Sequence, residues 1–271
     1  ATAGVEEVGE DFYRRTISLD GQHGVVEVKY VPGQSYLVAN IRFPKVTALS
    51  HIVERLRRMF DLGANSLEIE AHLSADPFLG NIVAALPGLR VPNAWDKFEL
   101  AVRAILGQQV SVQAATTLAG RVIEKFGEPL ALDGMAGPHE GLRFVFPRPE
   151  TLAEADLSQL GITRARAAYI TSLAAAVAQN SQLLDEAASL EEFVKKLCEL
   201  PGIGLWTAQY IAMRALREPD AFPAADLGLL KAMQPENGKL SPAQLEKRAE
   251  SWRPWRAYAA FYLWASLTMK G

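Results

Sequence analysis

The spacing of apolar residues changes period once along this chain of 271 residues, and that change limits the folds open to it. Over 12–43 the apolar residues come in short runs broken by turn formers: 12–19, a glycine-containing turn at 20–24, 25–31, a turn at Pro32 and Gly33, then 36–43. Runs joined by so few residues can pair only as an antiparallel meander, because a parallel crossover needs a dozen residues or more. Over 46–60 the period becomes helical. Leu49, Ile52, Val53, Leu56 and Phe60 share one stripe with Glu54, Arg57 and Arg58 opposite, which predicts a helix packed on the small sheet. Beyond about residue 73 strand signals almost vanish, and helices are expected between Pro and Gly punctuation at 87–88, 92–93, 127–129 and 134–149. Two of them meet near Gly107 within 95–125, and 133–143 reads as a loose surface loop. The fold class is therefore α+β, mostly α.

Composition narrows the functions. Apolar residues at 49% and charged residues at 22% are the balance of a chain that folds throughout. No run approaches the roughly 20 apolar residues that cross a bilayer, and the start has no basic and apolar leader, so the chain reads as soluble and intracellular with no membrane partner. Its first residue is Ala, which fits a processed product or the downstream half of a fusion. One cysteine, Cys198, allows neither an internal disulfide nor an iron–sulfur cluster on four protein thiolates, and its expected role is packing. His23, His51, His72 and His139 lack metal-ligand spacing, so neither a side-chain metal site nor an organic cofactor is expected. With a net charge of −3, a nucleic-acid ligand requires the basic residues to gather on one face.

The most informative segment is 200–210, Leu-Pro-Gly-Ile-Gly-Leu-Trp-Thr-Ala-Gln-Tyr, set between an amphipathic helix at 191–199 and a second helix reaching about Leu216. Gly202 and Gly204 around Ile203 allow a tight turn that another backbone can approach, with N–H groups free at the second helix's start. Such groups suit a phosphate and read no base edge. Pro201, Gly202, Ile203 and Gly204 are equally the composition of a plain inter-helix turn. Asp226 follows, in the run Ala-Phe-Pro-Ala-Ala-Asp-Leu-Gly-Leu-Leu-Lys at 221–231. Pro223 before it and Leu227, Leu229 and Leu230 after it put this acid near a helix start, where a simple N-cap aspartate would also sit.

The hairpin with Trp206, Tyr210 and Asp226 at this spacing resembles the helix-hairpin-helix DNA glycosylases, in particular the 3-methyladenine DNA glycosylase II (AlkA-like) branch. Ala-Ile-Leu-Gly-Gln-Gln-Val-Ser at 104–111, Phe-Pro-Arg-Pro at 146–149, and Trp-Arg-Pro-Trp-Arg-Ala-Tyr at 252–258 leading to Trp264 extend the resemblance over nearly the whole chain. It implies an N-terminal antiparallel sheet domain at 1–72, a central helical domain with the hairpin at 97–218, and a second helical domain from 73–96 and 219–271. The active site is implied in the cleft between the helical domains. The family's first strand would lie before Ala1, leaving a sheet edge exposed. A monomer is implied, with a monovalent cation, Na+ or K+, on backbone carbonyls of the hairpin.

The implied substrate is double-stranded DNA containing alkylated bases of the 3-methyladenine and 7-methylguanine type. An enzyme acting on a base inside a duplex must extrude it, and aromatic surfaces recover the unstacking cost. Trp206, Tyr210 and Trp264 form the implied base pocket, although core packing is the ordinary fate of any tryptophan. A cationic alkylated purine gains a cation–π contribution in such a pocket that a normal base lacks. Asp226 is implied as the catalytic carboxylate, ionised and stabilising positive charge on the sugar as the glycosidic bond breaks. Bifunctional relatives place a lysine where this chain has Trp206, so monofunctional hydrolysis leaving an abasic site is expected. Gln108 and Gln109 match the wedge that enters the gap left by the base, with Gln109 where the best-known bacterial member has Leu. Arg214, Lys231, Arg253 and Arg256 are expected on the DNA face, whereas Arg55, Arg57 and Arg58 read as a solvated helix face. A glycosylase for another purine lesion and a non-catalytic DNA-binding hairpin protein are the competing readings.

Overall fold

A computed structural model describes residues 1–130, 141–185, 187–234 and 239–269, which group into two compact units, 1–55 with 101–183 and 56–100 with 184–271. The first unit begins with an antiparallel meander of β1 (Glu6–Val8), β2 (Phe12–Leu19), β3 (Gln22–Tyr30) and β4 (Leu37–Arg42), paired in that order. Three of these strands follow from the alternation. The fourth, β1, has too few residues to show a period, and it covers part of the β2 edge through the pairs Glu6 with Arg15 and Val8 with Tyr13.

Asp20 and Gly21 turn β2 into β3 with φ of 50° and 70°, the two left-handed residues that suit the twist of a two-residue hairpin. The turn is shorter than the 20–24 read from sequence because Gly24 lies inside β3, opposite Ile17. A Cβ at Gly24 would stand 2.3 Å from the Arg42 backbone oxygen, so this glycine serves the close approach of β4.

The chain continues through α1 (Leu49–Met59), α2 (Ser66–Leu73), α3 (Pro77–Ala85), α4 (Lys97–Leu106), α5 (Val112–Phe126), α6 (Pro149–Ala153), α7 (Arg164–Gln179), α8 (Leu190–Cys198), α9 (Leu205–Ile211), α10 (Leu227–Ala232), α11 (Pro242–Ala249) and α12 (Arg256–Met269). Two-residue strands, β5 (Glu128–Pro129) and β6 (Phe144–Val145), pair between α5 and α6, a detail with no period to announce it. Of the loop expected at 133–143, residues up to 140 lie outside the described residues. Among the described residues, no helix is long and apolar enough to cross a membrane.

Each unit holds a largely buried carboxylate paired within that unit. In the first, Glu6 accepts from Arg103 Nη2 at 3.0 Å and Tyr13 Oη at 2.7 Å, with Arg15 Nη1 at 3.8 Å. Burial alone would raise this carboxyl, but the Arg103 and Arg15 guanidiniums and the hydrogen bonds from Arg103 and Tyr13 hold it down at about 2. In the second, Asp76 caps α3 by accepting from Phe78 N at 2.9 Å. Its other oxygen accepts from Trp252 Nε1 at 2.8 Å and pairs with Arg248 at 2.7 Å. Trp252 is 1% exposed, so its N–H has to find such a partner inside the protein.

Candidate active site

The hairpin and Asp226 both lie in the second unit. Helix α8 ends at Cys198 with Glu199 as its C-cap, and Ile203 N–H donates to the Leu200 carbonyl at 3.1 Å across the turn. Gly202 has φ of 78°, a left-handed conformation that closes the turn without a Cβ clash. Ile203 points into the core at 3% exposure and pins the loop. Gly204 is the N-cap of α9 with no side-chain capping bond, and the next residue, Leu205, is 59% exposed. The hairpin thus presents a helix start whose capping partner is not a side chain of its own.

After α9 the helix widens into a π turn, Ala212–Leu216, and ends at Arg217 in the left-handed region with φ of 64°. The loop that follows is tied back to α9, because Phe222 N–H donates to Gln209 Oε1 at 3.0 Å. Phe222 is buried edge-on to Trp252, with ring centroids 5.9 Å apart. Pro223 then accepts from Asp226 N–H at 2.8 Å, and Asp226 caps α10 by accepting from Leu229 N–H at 3.0 Å. The N-cap reading of Asp226 is therefore right as local structure, and it accounts for only part of what the carboxylate touches.

Two tryptophans complete its surroundings. Trp264 Nε1 donates to Asp226 Oδ1 at 2.8 Å and Trp206 Nε1 donates to Oδ2 at 3.0 Å. An indole N–H is a donor only, so both rings are oriented by the carboxylate, and the carboxylate plane is fixed by three donors from three different elements. Trp206 stacks on Tyr210 with centroids 5.4 Å apart and planes 9° from parallel, as residues four apart on one helix can. Phe261 meets Trp264 edge-on at 5.0 Å. Asp226, Trp206 and Trp264 are all half-buried, which leaves the group reachable by a ligand.

Gly228 is a member of this group that the sequence did not single out. A Cβ there would lie 2.9 Å from Asp226 Oδ1 and 3.1 Å from Trp264 Cδ1, so only a glycine lets the indole settle against the carboxylate. Its one sequence signal is a glycine in the first turn of a helix, where alanine is intrinsically preferred.

The expected basic face needs correcting. Arg256 is 5% exposed, with Nε donating to Asp220 Oδ1 at 2.7 Å and Nη2 to Oδ2 at 3.0 Å. Arg253 pairs with Asp220 and with Glu250. Arg256 is taken up by structure because an acid 36 residues earlier in the chain reaches it, whereas Arg253 keeps an exposed side chain. Arg214 donates to the Pro92 carbonyl and to Tyr210, while Lys231 and Arg253 are the exposed cations of the four.

Gln108 and Gln109 belong to the first unit, at the turn between α4 and α5. The Gln108 carbonyl accepts from Arg166 of α7. Gln109 is exposed with φ of 56°, and Ser111 caps α5 immediately after. Val112 beside it is 84% exposed, so the tip is a polar residue flanked by an apolar one. Among the described residues, no three His, Cys, Asp or Glu side chains gather as metal ligands would.

Comparison with known proteins gives first the class. A family model described as the AlkA N-terminal domain matches residues 1–96, and one described as HhH-GPD superfamily base excision DNA repair protein matches residues 102–256. The chain belongs to the HhH-GPD superfamily. Among particular relatives, it is 34% identical over 267 residues to the Escherichia coli protein named DNA-3-methyladenine glycosylase 2, covering 97% of this chain and 89% of that one. It is 39% identical over 267 residues to a Mycobacterium tuberculosis protein named probable bifunctional transcriptional activator/DNA repair enzyme AlkA. That match takes in 98% of this chain and 52% of the relative, so the chain spans about half the length of its mycobacterial counterpart. The solved structure of a 3-methyladenine DNA glycosylase from Archaeoglobus fulgidus superposes with a TM-score of 0.82 at 25% identity, over 96% of this chain and 88% of that one.

Proposed function

We propose that this protein is a monofunctional base-excision DNA glycosylase that hydrolyses the N-glycosidic bond of extruded alkylated bases in double-stranded DNA and leaves an abasic site. The observation that carries the reading is Asp226 held between two indole N–H groups at 2.8 and 3.0 Å, half-buried and reachable. An N3- or N7-alkylated purine departs as a neutral base, so no general acid is required at the leaving group. What the reaction needs is a fixed negative charge beside the sugar as oxocarbenium character develops, and an orientation for water. A carboxylate that already accepts three hydrogen bonds does not have to reorganise to supply that charge. Trp206 stands where a lysine would give Schiff-base attack on the sugar, and an indole cannot do this chemistry.

The aromatic walls suit a cationic planar base, and the names of the relatives point to the same lesion class. The hairpin would hold a DNA phosphate at the α9 start, with Ile203 anchoring the loop from inside. Pro201, Gly202, Ile203 and Gly204 offer only uncharged backbone carbonyls to a metal, a donor set that fits Na+ or K+. Gln109, on its exposed left-handed tip, would enter the gap left by the base, and its amide can bond the orphaned partner.

The test is the set of free bases released from methylated genomic DNA by the wild-type chain and by Asp226→Asn. Release of 3-methyladenine and 7-methylguanine that falls at least about 100-fold in the variant agrees with the proposal. A variant as fast as wild type rules out the carboxylate mechanism. A wild-type chain that releases no base yet binds abasic DNA makes this a binding protein.

A further inference from the structure

The guanidinium of Arg214 is turned towards Tyr210. Its Nη1 donates to Tyr210 Oη at 2.7 Å, its Nε donates to the Pro92 carbonyl at 2.8 Å, and its central carbon lies 5.6 Å from the Tyr210 ring centroid. Trp206, one helical turn earlier, stacks on the Tyr210 ring at 5.4 Å, while Arg214 reaches it from one turn later. Tyr210 is flanked along the helix on both sides, so what it offers a ligand is its hydroxyl edge, and the stacking surface of the pocket falls to Trp206 and Trp264. A guanidinium has donors and no acceptor, so the bond between Arg214 and Tyr210 can run only one way. A phenolic proton lies in the ring plane on one side or the other of the C–O bond, and a hydrogen bond accepted on one side directs it to the other. The Pro92 tether holds the guanidinium, and with it the sense of the hydroxyl.

We propose that Arg214 is a positioning residue that makes Tyr210 an obligate hydrogen-bond donor to the extruded base. The pair thereby favours purines with an acceptor at the six-position over those with an amine there. The assignment rests on the reading of this site as a glycosylase pocket. 7-Methylguanine carries a carbonyl oxygen at that position and accepts the hydroxyl proton, whereas the amine of 3-methyladenine meets it donor to donor. An unpaired donor in a desolvated pocket is worth roughly 5- to 100-fold in relative rate.

The experiment is a competition within one sample of methylated genomic DNA, read as the ratio of 7-methylguanine to 3-methyladenine released at early times. Because both products come from the same enzyme in the same tube, the ratio is independent of how much of a variant is folded. Tyr210→Phe, which removes one oxygen, is expected to lower the ratio about 5-fold or more. Arg214→Met is expected to lower it comparably, and the double variant to match Tyr210→Phe alone, since Arg214 acts through the hydroxyl. A ratio unmoved by Tyr210→Phe overturns the assignment. So does a further shift when Arg214→Met is added to Tyr210→Phe, which would mean that Arg214 meets the substrate directly. A wild-type chain that releases neither base fails the glycosylase reading itself, whereas release of both bases at a fixed ratio in every variant fails this assignment alone.

Discussion

Gly228→Ala isolates the contact between Trp264 and Asp226 with a single methyl group. The added Cβ would sit 2.9 Å from Asp226 Oδ1, 3.1 Å from Trp264 Cδ1 and 3.3 Å from Trp264 Nε1, all inside ordinary contact distance. Asp226 cannot retreat freely, because Oδ1 also accepts from Leu229 N–H and Oδ2 from Trp206 Nε1. The indole therefore gives way, and the 2.8 Å bond from its Nε1 is lengthened or lost. A hydrogen bond to a charged group contributes about 1.5–3 kcal/mol. If that bond holds the carboxylate where charge develops, its loss costs about 10- to 150-fold in kcat. Stability should fall by about 0.5–2.5 kcal/mol, since the lost bond outweighs the roughly 0.5–1 kcal/mol by which alanine is favoured over glycine within a helix. The assay is single-turnover base release alongside denaturant unfolding. Trp264→Phe is the companion variant, which deletes the same N–H without adding volume but also trims the stacking ring. Unchanged single-turnover rates in both variants would refute the reasoning, since the pairing of Trp264 with Asp226 would then do nothing for the reaction.

Asp220→Ala should destabilise the second unit by about 3–5 kcal/mol, because it strips the carboxylate from Arg256, a guanidinium 5% exposed, and a denaturant midpoint close to wild type would contradict this. Acid should weaken the first unit through Glu6. Its carboxyl lies at about 2 when folded against an ordinary 4.5, so the stabilisation is complete above about pH 4.5 and is lost as pH falls through about 2. The separation corresponds to about 3 kcal/mol at 1.36 kcal/mol per pH unit. Glu6→Gln should flatten that part of a stability–pH curve measured by urea unfolding, and a curve of unchanged shape would place the acid sensitivity elsewhere.

The period of the apolar residues made the meander and the helices legible, and Pro223 followed by an apolar run was enough to put Asp226 at a helix start. What escaped depends on partners distant in the chain. Arg256 reads as a surface cation until Asp220, 36 residues earlier, is seen to take its guanidinium. Gly24 reads as a turn residue until the Arg42 carbonyl is found where a Cβ would be. Gly228 and Gln209 are ordinary letters in the sequence, and they matter because an indole and a backbone N–H arrive beside them from other segments. Tyr210 and Trp206 were legible as a pair on one helix face, but not that Arg214 would close the far side of the tyrosine.

The π turn at Ala212–Leu216 carries one more residue than the α turn it replaces. A regular helix advances about 100° per residue, and the wider turn takes up its extra residue within the same rotation. Deleting one residue of 212–216 would let α9 run on as a regular helix and leave Arg217 and the loop leading to Asp226 on their present heading. In this part of the fold the chain has one residue of slack, so a single-codon deletion there is expected to keep the carboxylate facing both indoles.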